Sequence, residues 1–119
     1  MYAEYLKETY GLHTFENKIG FITYKVDFGD LHIEDVYIKP DARNGEGRKE
    51  IIRELVKTLP LDFIDGITVA IDPEQEKAEE MLTYLLTNGF KLGHIHSLMR
   101  RGETTLLHMK KDDFIKRLG

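Results

Sequence analysis

Apolar residues along this chain change period several times, and each change marks an element. Tyr2, Tyr5 and Leu6 recur at helical spacing ahead of Gly11, which predicts a short helix or an irregular opening segment over residues 2 to 9. From Leu12 to Ile38 the pattern turns to alternation, interrupted by turn residues at Asn17-Lys18 and at Asp27 to Asp30, where Gly29 follows Phe28. Three strands in an antiparallel meander are expected. Ile51, Ile52, Leu55, Val56 and Leu59 then form one helical stripe that starts near Gly47 and is stopped by Pro60. Ile67 to Ile71, reading ITVAI, has no polar alternation beyond Thr68, as expected of a strand buried on both faces beside a parallel neighbour. Strand, helix and strand together make a βαβ crossover.

Asp72 is placed to cap a second helix, with Pro73 in the first turn and Gln75 set for a capping-box return bond. Ala78, Leu82, Leu85 and Leu86 supply its apolar face, and Asn88-Gly89 ends it. Two strands follow, roughly Lys91 to Met99 and Thr104 to Lys110, turning through Arg101-Gly102. Asp112 or Asp113 then caps a last short helix carrying Phe114, Ile115 and Leu118. The order predicts an α/β (α+β) class: antiparallel meander, βαβ crossover, helix and C-terminal hairpin on one mixed central sheet. No repeat, linker or low-complexity tract divides it, and 119 residues fit a single domain over 1–119.

The third strand breaks the alternation rule. Leu31 and Ile33 are odd-numbered while Val36 and Ile38 are even-numbered, so the inward face changes parity around Glu34-Asp35. A period of two cannot do that without an extra residue, and a β-bulge is expected there.

Composition narrows the function classes. The formal charge of −4 argues against a nucleic-acid binder relying on a general positive field, although Arg48-Lys49 and Arg100-Arg101 are local anion-site candidates. There is no cysteine, hence no disulfide framework or thiolate metal site. No apolar run approaches the length of a membrane span and the first residues carry no signal-peptide core, so a cytoplasmic protein is expected.

The chemistry concentrates at residues 33–43, IEDVYIKPDAR, where a strand, a turn and the opening of a helix meet. Such a junction collects backbone N–H groups and a helix dipole at one point, which suits phosphate groups. The segment resembles the cofactor core of the GNAT superfamily of N-acetyltransferases. There the strand often reads IEDLYV, followed by a proline and then Arg or Gln, x, x, Gly, x, Gly or Ala. The resemblance covers residues 12 to 110 and implies a GNAT-like fold whose bulged strand splays from its parallel neighbour to admit acetyl-CoA as co-substrate. The strand end Val36, Tyr37 and Ile38 would present its backbone to the cofactor, the Ile38 N–H bonding the acetyl carbonyl. The loop Arg43, Asn44, Gly45, Gly47, Arg48 and Lys49 would hold the pyrophosphate. Glu34, in the acidic position of the strand, is the candidate general base; read from residues alone it is equally an exposed strand carboxylate. The family's general-acid tyrosine, four residues before the Gly-Phe pair at Gly89-Phe90, falls on Leu85. Tyr84 stands beside it as the candidate acid, rotated by about 100° on the helix.

The chain departs from the pattern in two places. With Pro40 and Arg43 aligned, Gly45 and Gly47 fall one position early, leaving Glu46 and Arg48 where small residues are usual. The family also carries a first strand and two helices where about ten residues stand here, so the acceptor side is expected to be open or covered by a protein partner or a second subunit. In both respects the chain looks like small bacteriophage versions of the fold. An amine-bearing small molecule or protein would be the acceptor of an N-acetyltransferase. The alternative is a non-catalytic GNAT-fold binding protein, an inhibitor or a virion or assembly component; a third reading is a nucleic-acid or nucleotide-phosphate binder using Arg43, Arg48 and Lys49. His94 and His96 share a strand face opposite His108, but no carboxylate spacing supports a metal site. Met81, Met99 and Met109 read as core fillers.

Overall fold

The computed structural model describes residues 1–43, 46–71, 77–98 and 102–118. In chain order these form α1 (Tyr2–Tyr10), β1 (His13–Glu16), β2 (Gly20–Asp27), β3 (Asp30–Ile38), α2 (Gly47–Lys57), β4 (Gly66–Ile71), α3 (Ala78–Thr87), β5 (Lys91–Leu98), β6 (Gly102–Lys110) and α4 (Lys111–Leu118). The strands make one mixed sheet in the order β1-β2-β3-β4-β6-β5. Its first three strands are the expected antiparallel meander. Phe28 and Gly29, both at positive φ (49° and 79°), form the two-residue turn whose twist matches the β2–β3 hairpin.

β3 pairs with β4 in parallel, from Asp30 opposite Gly66 to Ile33 opposite Val69, and α2 is the crossover between them. β4 in turn pairs antiparallel with β6 along its full length, Gly66 opposite Lys110 through Ile71 opposite Thr105. β4 is therefore flanked on both edges, and Gly66, Ile67, Thr68 and Ile71 are buried, in keeping with its apolar sequence. The helical stripe buries Ile51, Leu55 and Val56 against Ile22, Leu31, Ile33 and Ile67 of the sheet, with Phe114 and Leu118 of α4 in the same core. Leu6 of α1 and Leu12 are also buried, but outside that cluster. Among the described residues no helix is long and apolar enough to cross a membrane.

Several local expectations change. Leu86 does not join the buried face of α3: it is 45% exposed, and Leu85 is the buried residue. One residue is about 100° of helix rotation, and α3 docks with Leu85 inward and Leu86 toward solvent. Met81 is partly buried against the core instead. Neither Asp112 nor Asp113 caps α4, because the helix begins directly at Lys111, whose N–H donates to the Asp65 carbonyl (3.0 Å) and whose Nζ donates to the Leu61 carbonyl (2.9 Å). The two aspartates occupy the first turn, where their charge complements the helix dipole. Asp72, Pro73, Gln75, Met99 and Arg101 lie outside the described residues.

On the sheet face opposite the helical core, Asp30 takes two histidines. His32 Nε2 lies 3.1 Å from one carboxylate oxygen and His108 Nε2 3.4 Å from the other. His108 reaches across β4 because Gly66 has no side chain; a Cβ there would collide with the imidazole. The side chains of His94 and His96 lie outside the described residues.

Candidate active site

The change of parity in β3 is resolved by one extra residue. Thr23 pairs with Asp35 and Tyr24 with Ile33, leaving Glu34 as the bulge. The parallel pairing to β4 ends at Ile33, one residue before it. Beyond that point β3 follows β2 while β4 stays with β6, and the two strands part. A cleft of about 420 Å³ fills the gap. Ile33, Val36, Ile52, Val69, Met81 and Leu85 give it apolar walls.

The backbone edge of β3 faces this cleft. The Lys39 N–H donates to the Ile19 carbonyl at 2.8 Å, toward β2. Because N–H directions alternate along a strand, those of Ile38 and Val36 point the other way, to the open edge. Val36, Tyr37 and Glu34 line the cleft, and Glu34 Oε1 is buried. Ile38 is buried at the strand end, where its side chain sits against Gly47.

Arg43 takes a different position from the one its place in the loop suggests. Its Nε donates to the Ile38 carbonyl at 2.6 Å, and its guanidinium lies 5.4 Å from the centre of the Tyr37 ring. It does not line the cleft. The carbonyl of Ile38 shares the direction of its N–H, so Arg43 closes the far end of the open backbone edge. Asn44 and Gly45 lie outside the described residues. Gly47 opens α2, and a Cβ there would strike the Ala42 carbonyl. Its glycine identity thus serves close packing of helix on turn.

Arg48 and Lys49 of the first turn of α2 do line the cleft. The first intrahelical bond is from Glu50 N–H to the Glu46 carbonyl (2.9 Å), so the N–H groups of Gly47, Arg48 and Lys49 have no acceptor within the helix. Arg48 Nε is buried with no hydrogen-bond partner, while its guanidinium carbon lies 5.4 Å from the Tyr84 ring centre. A buried cationic donor without an acceptor, beside a helix N-terminus, is the chemistry an anion would complete. Tyr84 itself is 38% exposed and lines the cleft next to Leu85.

Sequence reasoning missed Tyr2, Phe21 and Arg117, which also line the cleft. Phe21 could have been found: it pairs directly with Tyr37 in the hairpin register and stacks on it at 5.4 Å. Tyr2 and Arg117 come from the two terminal helices, and no local pattern announces where a terminal helix will dock. Asp35 accepts a hydrogen bond from the buried Thr23 hydroxyl at 2.7 Å.

No protein-family model matches the sequence, and no curated protein sequence does. Solved structures match by shape. Ard1 from Thermoplasma volcanium superposes with a TM-score of 0.57 at 8% identity, over 77% of this chain and 62% of its own. A GNAT family acetyltransferase from Elizabethkingia anophelis, solved with acetyl-CoA bound, gives 0.58 at 12% identity, over 81% and 71%. A protein from Bacteroides thetaiotaomicron assigned to the GNAT acetyltransferases gives 0.59 at 22% identity, over 96% of this chain and 73% of that one. The chain thus spans less than two thirds of Ard1's length. With its mixed six-stranded sheet, the chain has the GNAT fold.

Proposed function

We propose that residues 1–119 act as one domain that transfers an acetyl group from acetyl-CoA to an amine. The observation that supports this most is the cleft between β3 and β4, with the bulged Glu34 on one wall and the unsatisfied Nε of Arg48 on another. Acetyl-CoA would be the co-substrate, supplying a thioester whose carbonyl carbon accepts the amine lone pair as the C–S bond breaks. A cytoplasmic location would give access to that co-substrate.

The residues divide the work by position. Arg48, Lys49 and the first-turn N–H groups of α2 would hold the pyrophosphate, with Asn44 and Gly45 completing the loop. Val36 and Ile38 would offer N–H groups from the open strand edge, the latter to the acetyl oxygen as negative charge develops there. Tyr37 packs the strand end through Phe21 and Arg43. Arg43 acts on the site through the Ile38 carbonyl. Glu34 would take a proton from the incoming ammonium. Attack leaves a second proton on nitrogen, which passes to the departing thiolate with Tyr84 as the relay. An ammonium and a thioester give an amide, a thiol and one released proton.

Calorimetric titration with acetyl-CoA and free CoA tests the reading. Micromolar binding, weakened at least tenfold by Arg48→Ala, is expected; no binding at millimolar ligand overturns it. One observation favours a second reading, a binding protein that has kept the fold without the reaction: Arg43 is held by the Ile38 carbonyl. The same titration separates the two.

A further inference from the structure

The cleft does not stop where β3 and β4 close. Their pairing ends with Ile33 opposite Val69, yet Met109, which stands opposite Ile67 below that level, still lines the cleft. Ile71 lines it at the open end. From Ile71 down to the level of Ile67 is about 13 Å of strand, at about 3.3 Å per residue. Alternation puts Ile67, Val69 and Ile71 on one face, and Ile67, Ile71 and Met109 belong to the core cluster beneath the helices. The lower part of the cleft is therefore an apolar chamber on the helical side of the sheet. Leu85 of α3 flanks it, and Phe90, Phe114 and Leu118 close its lower end, where α4 leaves β6 and Lys91 of β5 pairs with His108. Phe90 and Phe114 meet edge to face with ring centres 6.3 Å apart. The polar residues of this end stand at its rim: Arg117 is exposed beside Gly89, and Asn88 Nδ2 donates to the Tyr84 carbonyl at 2.8 Å.

An acetyl group would leave this chamber unfilled. Protein interiors are close-packed, with few voids larger than a water molecule, so open apolar space running into the main core destabilises the fold unless a ligand occupies it. From this we infer that the donor site takes more than acetyl-CoA: the chamber accommodates the hydrocarbon tail of a medium-chain acyl-CoA. This rests on the acetyl-transfer reading. At about 1.2 Å per bond in an extended chain, the length of the chamber suits a tail of roughly six to ten carbons. The bond changes are those of acetyl transfer. The amine nitrogen bonds to the thioester carbonyl carbon, the C–S bond breaks, and an amide, a thiol and one released proton result. A tail ending in a carboxylate would have to shed water among Phe90, Met109 and Phe114, and Arg117, itself in water at the rim, would offset little of that cost.

Binding tests this without turnover. Free CoA, acetyl-CoA, hexanoyl-CoA, octanoyl-CoA and succinyl-CoA are titrated calorimetrically into separate samples of the protein, with no amine acceptor present. Each buried methylene strengthens binding by up to about fourfold. Octanoyl-CoA is expected to bind at least tenfold more tightly than acetyl-CoA, with hexanoyl-CoA between them and succinyl-CoA no tighter than acetyl-CoA. Leu118→Phe and Met109→Phe fill the chamber from two different elements. Each is expected to cut the octanoyl advantage at least fivefold and to keep acetyl-CoA affinity within twofold of the parent, which also shows that the variant is folded. Should neither variant fold, the chain-length series on the parent decides alone. Octanoyl-CoA binding no tighter than acetyl-CoA, or an advantage that the folded variants retain in full, overturns the tail site and leaves acetyl transfer standing. Succinyl-CoA binding more tightly than octanoyl-CoA overturns a hydrocarbon occupant. Failure of every CoA species to bind overturns acetyl transfer, and the tail site with it.

Discussion

Arg43 reaches back along the chain to hydrogen-bond the carbonyl of Ile38 at 2.6 Å, fixing the strand end to the turn that follows it. The guanidinium is charged and planar, and it also lies against the Tyr37 ring. A bond of this kind contributes about 1 kcal/mol when the side chain is exposed to water. Arg43→Ala is expected to lower stability by about that amount and to weaken acetyl-CoA binding in parallel. Arg43→Lys keeps the charge and loses the fork and the stacking surface. It should be destabilised about as much as the alanine variant in urea unfolding; full recovery of stability by lysine would remove the carbonyl bond as the reason.

The bulge was legible in the sequence because burial is read two residues at a time: Leu31 and Ile33 cannot share a face with Val36 and Ile38 unless one residue is extra. The crossover was legible for the same kind of reason, since α2 carries a helical stripe and β4 an unbroken apolar run. What was not legible depends on choices made in three dimensions. Arg43 sits in a loop that resembles a phosphate cradle, yet a nearby carbonyl claims its Nε. Leu86 matches the helical period as well as Leu85 does, and only the docking angle of α3 selects one. Tyr84 reads as an approximate stand-in for the family tyrosine, and its position beside Arg48 emerges only when α2 and α3 meet.

Glu34→Gln removes the proposed base while keeping shape and hydrogen-bonding capacity. Affinity for acetyl-CoA should stay within twofold of the parent, while turnover falls by about a hundredfold or more, the usual contribution of a positioned base. Unchanged turnover would remove Glu34 from the mechanism.

Gly47→Ala reverses the usual helix rule. In an exposed helix interior, alanine is favoured over glycine by about 1 kcal/mol. Here the added Cβ would meet the Ala42 carbonyl and press on Ile38 Cγ2 at 3.2 Å. Overpacking of this sort costs about 1–3 kcal/mol, so net destabilisation is expected. Thermal unfolding gives the sign directly, and a higher melting temperature would show that the turn yields at little cost.

His32 makes stability depend on pH. Burial lowers its pKa below the ordinary 6.5, with Asp30 and other carboxylates pulling the other way and Lys25 adding to the fall. A depressed pKa means that the unfolded chain binds the proton more readily than the folded one. The stabilisation is complete above about pH 6.5 and is lost as pH drops through the lower folded value. His32→Gln should flatten the acid side of the melting curve between neutral pH and pH 5. Parallel pH profiles for the two proteins would show that the histidine does not carry the effect.

Arg48 sets function against stability most directly. Its Nε is buried without an acceptor, a state that costs about 1–3 kcal/mol. Contact with the Tyr84 ring returns only about 0.5–1 kcal/mol of that at a partly exposed site. Methionine has a similar unbranched reach into the apolar cleft, and no donor to leave unsatisfied. Arg48→Met is therefore expected to melt higher than the parent when both are free of ligand. Saturating acetyl-CoA should reverse the order, because binding to the folded state alone adds stability in proportion to the logarithm of ligand over dissociation constant. The parent would gain about 2.7 kcal/mol at a hundredfold excess over that constant, and the variant much less. If the ligand-free variant melts below the parent, Arg48 is a structural residue, and the phosphate-binding role assigned to it loses its strongest support.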